Sequence, residues 1–473
     1  MELIESHASV RPQRPRLPAR LHPTVQRLLR EHSSAVAQLV SGLGSPLHIL
    51  LPQVFEETAR QFVETVDRAG VEAVVLFAKK ANKARCFAQY CASAELGVDV
   101  ASAPELEQAL AAGVRGEQIG VSGPSKAPEL IELGIRQGCW LAVDSCAELM
   151  QVAERARSQG RRARVLLRCR AELMGQIHSR FGLSAAERND AIGLCLEHHK
   201  DLLLQGVSFH LTGYSVAQRA SMTDHMADLC VATRAAGLAD CRIVNMGGGF
   251  AVRYVEPSAW EQFAQEHAAD DFHANKTFPG FYPYASPSAG AAMLAEILAS
   301  KVNDGSTSLS SKLIQHRIRL LLEPGRALLD QGGVTAFRIQ GVKDRHESEG
   351  YAILTAEGTS FSLSEQWFNS EYLPDPILLG ASADLPTQSF TACVGGSTCL
   401  ESDMITWRKI AFDRPVRVGD IVVYANTAGY QMDSNESPFH GLPLPRKVVV
   451  TLTEDNAMHW RLDEVAAWDR SYR

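Results

Sequence analysis

Between about residue 46 and residue 325, short β-branched apolar runs alternate with longer segments whose apolar residues recur at helical spacing. Eight candidate strands punctuate this stretch, at 74–78, 98–102, 118–122, 140–144, 164–169, 206–211, 242–246 and 319–323. Several run through polar or Gly-containing turns into helical patterns. In DVASAPELEQALAAG, Ser102 or Ala103 precedes a first turn that carries Glu105. Eight such units predict an α/β fold, a parallel (β/α)8 TIM barrel, with its chemistry at the C-terminal ends of the strands. An open doubly wound sheet would use the same elements, but no GxGxxG turn follows the first strand.

After Arg326 the texture changes to period-two runs with few helical stretches: GGVTAFRIQGVK, YAILTAEGTSFSL, VRVGDIVVYANTAGY and RKVVVTLTED. These predict a C-terminal β-rich, barrel-like domain. SPLHILLP (45–52) is strand-like too, so that domain is expected to draw on both chain ends. The expected division is an N-terminal extension over 1–45, a barrel over 46–330 and a β domain over 331–473. The stretch 253–315 is long for one connection and contains HANKTFPGFYPYASPSAG and the Ser-rich NDGSTSLSS, which read as an inserted loop, a lid or a disordered excursion.

The charge balance excludes some partners. Lys plus Arg number 47 against 54 Asp plus Glu, a net charge of −7, which offers no general attraction to nucleic acid or an anionic membrane. No apolar run reaches signal-peptide or membrane-spanning length, so a cytoplasmic protein is expected. The ten cysteines form no CxxC pairs, so neither a metal site nor a disulfide framework is expected.

Three strand ends carry unusual residues. Lys80, in FAKKAN, stands at the mouth of the first barrel strand, where it can form an imine with an aldehyde cofactor if its neighbours and partial burial hold its pKa down. By strand alternation Lys79 points to the opposite side. Alone, such a lysine is usually a surface residue. VNMGGGF sets Gly247, Gly248 and Gly249 directly after a strand, so that backbone N–H groups can approach a phosphate. LLEPGR ends a strand in Glu323, able to keep a pyridine nitrogen protonated, and turns to Arg326, able to pair with phosphate. Together they supply imine, phosphate cradle and ring-nitrogen partner.

FAKKAN, GVDVAS, LLRC followed by SRFG, GVSFHL, MGGGF, EPGR, GSTCLESD and GDIVVYANTAGY occur in the order found in the fold-type III pyridoxal-phosphate decarboxylases. The chain resembles this family, which includes ornithine, arginine and diaminopimelate decarboxylases on an alanine-racemase-like barrel, from about residue 45 to residue 445. The resemblance implies a pyridoxal 5'-phosphate lyase with Lys80 carrying the cofactor and Asp99 and Glu105 as supports nearby. It further implies Arg168 near the ring oxygen, His210 stacked on the ring, the three glycines and Tyr430 at the phosphate with Arg326 nearby, and Glu323 at the ring nitrogen. Cys399 resembles the cysteine that a neighbouring subunit supplies to return a proton to the α-carbon after carbon dioxide leaves. Asp403 resembles an aspartate of the dimer interface, and with Glu401 it is a candidate substrate contact. The implied assembly is a homodimer with shared active sites acting on a small amino acid.

Three departures stand out. Leu400 follows Cys399 where diamine-forming relatives have an acid, and Glu401 comes one position later. LTGYS follows His210 in place of a shorter turn, so Gly213 or Ser215 would take up the phosphate contact there. His440, in SPFHG, replaces a common asparagine. These departures leave lysine, ornithine and diaminopimelate without support as substrates, while the 253–315 stretch and SEQWFNSEY (364–372) are expected to shape a pocket for a larger or conjugated amino acid, such as a precursor in siderophore or other secondary metabolism. A racemase or epimerase on the same fold and a catalytically silent regulatory homologue are the alternatives.

Overall fold

The computed structural model of the chain describes residues 14–175, 178–302, 305–380 and 389–463. Among these residues eight parallel strands close into a barrel, in the order Arg319–Leu322, Ala73–Ala78, Gly97–Val100, Ile119–Val121, Trp140–Val143, Ala163–Arg168, Leu202–Ser208 and Ile243–Asn245. The last pairs back with the first. The strand period of two sorts the side chains. Leu76, Trp140, Leu166, Ile243 and Leu321 form an apolar cluster of their own inside the barrel. Their chain neighbours Val75, Phe77, Val165, Leu167, Val244, Leu320 and Leu322 join the larger core under the helices. Two residues further along from Gly97, Leu166, Gly206, Ile243 and Leu321 come Asp99, Arg168, Ser208, Asn245 and Glu323. The interior face that is apolar at mid-barrel therefore turns polar at the C-terminal mouth, and the site is built there.

The strand expected over 206–211 lies earlier, at Leu202–Ser208. Pairing with the next strand stops at Ser208 opposite Asn245, so Phe209, His210 and Leu211 leave the sheet for the mouth. The stretch 253–315, expected as an inserted loop, carries the helices Pro257–Glu266, Gly290–Ala299 and Leu309–Gln315. GAAMLAEILA buries Met293, Leu294, Ile297 and Leu298 in the main core. The end of the Ser-rich tract is a cap, since the Ser308 hydroxyl accepts from the backbone N–H of Ser311 at 3.2 Å. Between these helices, 267–289 lies against the β-rich sheet: His273 bonds the Tyr351 hydroxyl at 2.8 Å and Lys409 donates to the Asp270 carbonyl at 2.8 Å.

The second sheet takes strands from both chain ends. Leu47–Leu50 pairs antiparallel with Gly333–Arg345 and parallel with Arg446–Leu452. Helices Pro23–Glu31 and Ser33–Leu43 cover this sheet, packing Val25, Leu28, Val36 and Val40 on Val334, Val423 and Val448. Residues 1–13 of the expected extension, and 381–388 and 464–473 of the expected β domain, lie outside the described residues. Among the described residues no helix is long and apolar enough to cross a membrane.

Candidate active site

At the C-terminal mouth of the barrel opens a cavity of about 420 Å³ whose lining includes Lys80, Ser122, Arg168, Ser208, His210 and Glu323. After strand Ala73–Ala78 the chain makes the tight turn Lys79–Ala81. That turn sends Lys80 into the cavity and buries Lys79, whose Nζ donates to the Lys83 carbonyl at 3.0 Å. Lys80 differs from expectation in its charge. Burial alone would lower its pKa, but the neighbouring Asp99, Tyr430 and Glu323 outweigh burial and the Arg168 cation and hold the ammonium above the ordinary lysine value.

Asp99 is buried beside it. Its Oδ2 accepts from the Ser122 hydroxyl at 2.9 Å, and its Oδ1 has no hydrogen-bond partner among the described residues. Burial and the Glu323 carboxylate push Asp99 upward, while Lys80 pulls it back. Glu105 stays outside the cavity lining and caps its helix, accepting from the Ala101 N–H at 2.7 Å. Glu323 is held by Asn245, whose Nδ2 donates to Oε1 at 2.6 Å. The same side chain's Oδ1 accepts from the Gly247 N–H at 2.9 Å, so one asparagine ties the Glu323 carboxylate to the glycine loop. Arg168 pairs with Asp144 at 3.6 Å and lies over the Phe181 ring at 4.5 Å. His210 opens onto the cavity. Burial first, then the cations Lys80, Arg168 and Arg219, lower its pKa to about 4, so the imidazole is neutral at neutral pH.

The glycine loop admits no side chains. A Cβ at Gly248 would come 2.7 Å from the Glu323 carbonyl, and one at Gly249, where φ is +78°, would come 1.9 Å from the Arg219 guanidinium. That buried guanidinium donates to the carbonyls of Gly249 at 3.1 Å and Gly213 at 2.8 Å, joining the glycine loop to the turn after His210. Ser215 caps the following helix, accepting from the Gln218 N–H at 3.2 Å. Tyr430 reaches the mouth from the β-rich sheet: its N–H donates to the Ala81 carbonyl at 2.7 Å, and its hydroxyl would lie 3.0 Å from a Cβ at Gly325.

Arg326 does not line this cavity. It donates to Glu365 at 3.3 Å and to the Gly429 carbonyl at 3.2 Å, and lies over the rings of Tyr282 at 4.1 Å and Tyr430 at 5.1 Å. Arg326, Glu365, Tyr282 and Tyr430 line a second cavity, of about 540 Å³, with Phe281 and Phe368. Cys399 and Glu401 are exposed and line neither cavity in their own chain. Asp403 is buried and spends both oxygens on its own surroundings, accepting from the Ser360 N–H at 2.7 Å and the Thr398 hydroxyl at 2.7 Å.

The sequence of the family described as "Pyridoxal-dependent decarboxylase, pyridoxal binding domain" matches residues 53–279. Similarity to curated proteins runs over most of the chain. "Uncharacterized protein y4yA" of Sinorhizobium fredii is 32% identical over 442 residues, 92% of this chain and 94% of that protein. The diaminopimelate decarboxylase of Zymomonas mobilis is 24% identical over 88% of this chain and 89% of its own. The chain belongs to the fold-type III pyridoxal-phosphate-dependent decarboxylases. Solved structures share its architecture: Helicobacter pylori diaminopimelate decarboxylase complexed with L-lysine has a TM-score of 0.70 at 17% identity, covering 91% of this chain and 96% of its own. For Paramecium bursaria Chlorella virus arginine decarboxylase the values are 0.64, 16%, 88% and 99%.

The cofactor of this family is pyridoxal phosphate, and the site fits it. Lys80 lines the cavity, the unpartnered Asp99 Oδ1 stands near it, and a loop of three glycines packs so closely on the Phe209 and Glu323 carbonyls and on Arg219 that none admits a Cβ. Asn245, Arg219 and Asp144 are site residues that the motifs did not single out. The period of two from Ile243 is the signal that would have found Asn245.

Proposed function

We propose that the chain decarboxylates an amino acid at the Lys80 cavity, in a homodimer whose sites are completed by Cys399 of the neighbouring subunit. The observation that carries this reading is the meeting of Lys80, Arg168, His210 and Glu323 around one cavity at the barrel mouth, with Asp99 beside Lys80. Bound pyridoxal phosphate supplies an electron-withdrawing ring that accepts the electron pair left when the α-carboxylate departs as carbon dioxide. Lys80 would tie the cofactor's aldehyde carbon to the barrel. Glu323, fixed by Asn245, would hold the proton on the ring nitrogen. His210 is uncharged and lines the cavity, where it would pack against the ring without competing for that proton. Arg168, braced by Asp144 and lining the cavity, would hold the ring oxygen. Gly247, Gly248, Gly249 and Tyr430 would hold the phosphate. Cys399 would hand a proton to the α-carbon; its exposure and its absence from its own chain's cavity lining suit a group that works in the partner's site.

The second cavity supports a bulky, uncharged or conjugated side chain for the substrate. The cation available there, Arg326, is already paired with Glu365, and the rest of the wall is uncharged, with the aromatic rings of Phe281, Tyr282, Phe368 and Tyr430 beside Ser364, Asn369, Ser370 and Ser434. A diamine or a second carboxylate would meet no unspent opposite charge on this pair.

The test is to incubate the cofactor-loaded protein with pooled free and conjugated amino acids and record carbon dioxide release and α-deuterium incorporation together. Carbon dioxide with a new amine is the expected result. Deuterium incorporation without carbon dioxide would move the assignment to a racemase, and silence in both would favour a regulatory homologue.

A further inference from the structure

Of the ten cysteines, eight are buried and Cys146 is half-buried; Cys399 is the exposed one. It has a partner. His440 Nε2 lies 3.1 Å from Cys399 Sγ and accepts from the Cys399 N–H at 3.4 Å. The histidine is held in this place by the chain around it. Its φ is +59°, a left-handed conformation uncommon outside glycine, within the single turn Phe439–Gly441. Its ring packs on Phe439 at 4.3 Å, and Phe439 meets Phe361 edge-on at 6.4 Å. The cysteine loop is pinned as firmly: besides the Asp403 bonds, the Ser397 hydroxyl donates to the Gly358 carbonyl at 2.9 Å. Two braced loops, 41 residues apart in sequence, therefore meet at one sulfur–nitrogen contact.

We propose that His440 is the proton-relay and positioning partner of Cys399, an inference that rests on the reading of Cys399 as the group that returns the proton. Because Nε2 accepts from the Cys399 backbone N–H, it faces the sulfur as a base and orients the thiol. When Cys399 reacts, its S–H bond breaks as the C–H bond at the α-carbon forms, and the S–H electron pair stays on sulfur as a thiolate. A proton from hydronium or a buffer acid charges His440, which then gives its Nε2 proton to the thiolate and returns to neutral imidazole, so that each carbon dioxide released consumes one proton from the solvent. An imidazolium 3.1 Å away also steadies the thiolate in the interval.

The other charged groups on the converging segments are largely committed. Asp403 is spent on its own loop, Glu436 pairs with Lys83 at 2.7 Å, and Glu357, before the Phe361 turn, pairs with Arg338 at 2.7 Å. Glu401 is the remaining acid on the cysteine loop and, like the others, acts on the pair from outside the contact. His440 is thus the titratable group placed against the thiol.

The test uses the holoenzyme and reads Cys399 directly, by iodoacetamide alkylation followed with peptide mass mapping at about pH 6.5, with His440→Gln and His440→Asn as variants and Cys399→Ser as the site control. Native Cys399 should alkylate roughly tenfold faster than in either variant, and faster than glutathione. In turnover, His440→Gln should lower kcat with KM little changed, alter the pH profile of kcat, and raise the share of aldehyde over amine among the products. Equal alkylation rates in native and variant protein overturn the proposal. So does a native rate no faster than glutathione, a reading that needs no variant to fold. Failure of the underlying reading looks different: Cys399→Ala would then form amine at the native rate, while the alkylation data still report whether the pair exists.

Discussion

Asn245 donates to Glu323 at 2.6 Å and accepts from Gly247 at 2.9 Å, so it links the carboxylate proposed for the ring nitrogen to the loop proposed for the phosphate. A hydrogen bond to a buried charged group contributes about 1.5–3 kcal/mol. Asn245→Ala should therefore lower kcat by roughly ten- to a hundredfold, with the protein still folded by circular dichroism. The charge on Lys80 leads to a second expectation. Asp99, Tyr430 and Glu323 raise its pKa, so at neutral pH less of it is free amine, and only the free amine attacks an aldehyde. Cofactor uptake by the apoprotein, followed by stopped-flow absorbance, should quicken as pH rises toward the lysine range. Asp99→Asn, which removes one anion, should move that rise to lower pH. An uptake rate independent of pH would contradict the charged state described here. Lys80 was legible in the sequence as a residue at a strand end, but its charge was not. FAKKAN raises the requirement of a depressed pKa, whereas the carboxylates that raise it come from 99 and 323, on other strands.

At the scale of elements, the glycine loop and the turn after His210 behave as one unit because Arg219 bonds the carbonyls of both. Gly249→Ala would place a methyl group 1.9 Å from that guanidinium, at φ +78°, where a side chain costs about 1–2 kcal/mol by itself. The variant should lose pyridoxal phosphate affinity by tenfold or more in a fluorescence titration, and it should melt at a lower temperature. Gly247→Ala, also at positive φ, should do the same. MGGGF marks this loop in the sequence; Arg219, inside AQRAS on a helix, carries no mark, since only the return of its helix over the loop turns it into a tether. The 253–315 stretch shows the opposite difficulty. Its Pro, Gly and Ser content reads as loop, yet GAAMLAEILA is a helix that buries Met293, Leu294, Ile297 and Leu298 on one face; its exposed face is mostly alanine, with Glu296 the one charge, so the contrast that marks an amphipathic helix is faint.

Over the whole molecule, a shared site has a countable consequence. Lys80→Ala and Cys399→Ala subunits, each impaired alone, should recover about a quarter of native activity when mixed and re-equilibrated, since half the dimers are mixed and each mixed dimer holds one site free of both changes. No recovery would mean that both residues serve the same site within one chain. The order of eight strand–helix units, the β-rich second half and the residues at the strand ends were determined by the sequence itself, because a period of two and a closed barrel together dictate which side chains reach the mouth. The use of both chain ends in the second sheet was legible for the same reason, as Leu47–Leu50 carries strand patterning and joins that sheet in the structure. Only the tertiary structure decided that Arg326 faces Glu365, that Asn245 and Arg219 tie the loops, and that His440 meets Cys399. Each of these contacts joins segments distant in sequence, and its geometry follows from the path of the whole chain, which no local pattern encodes.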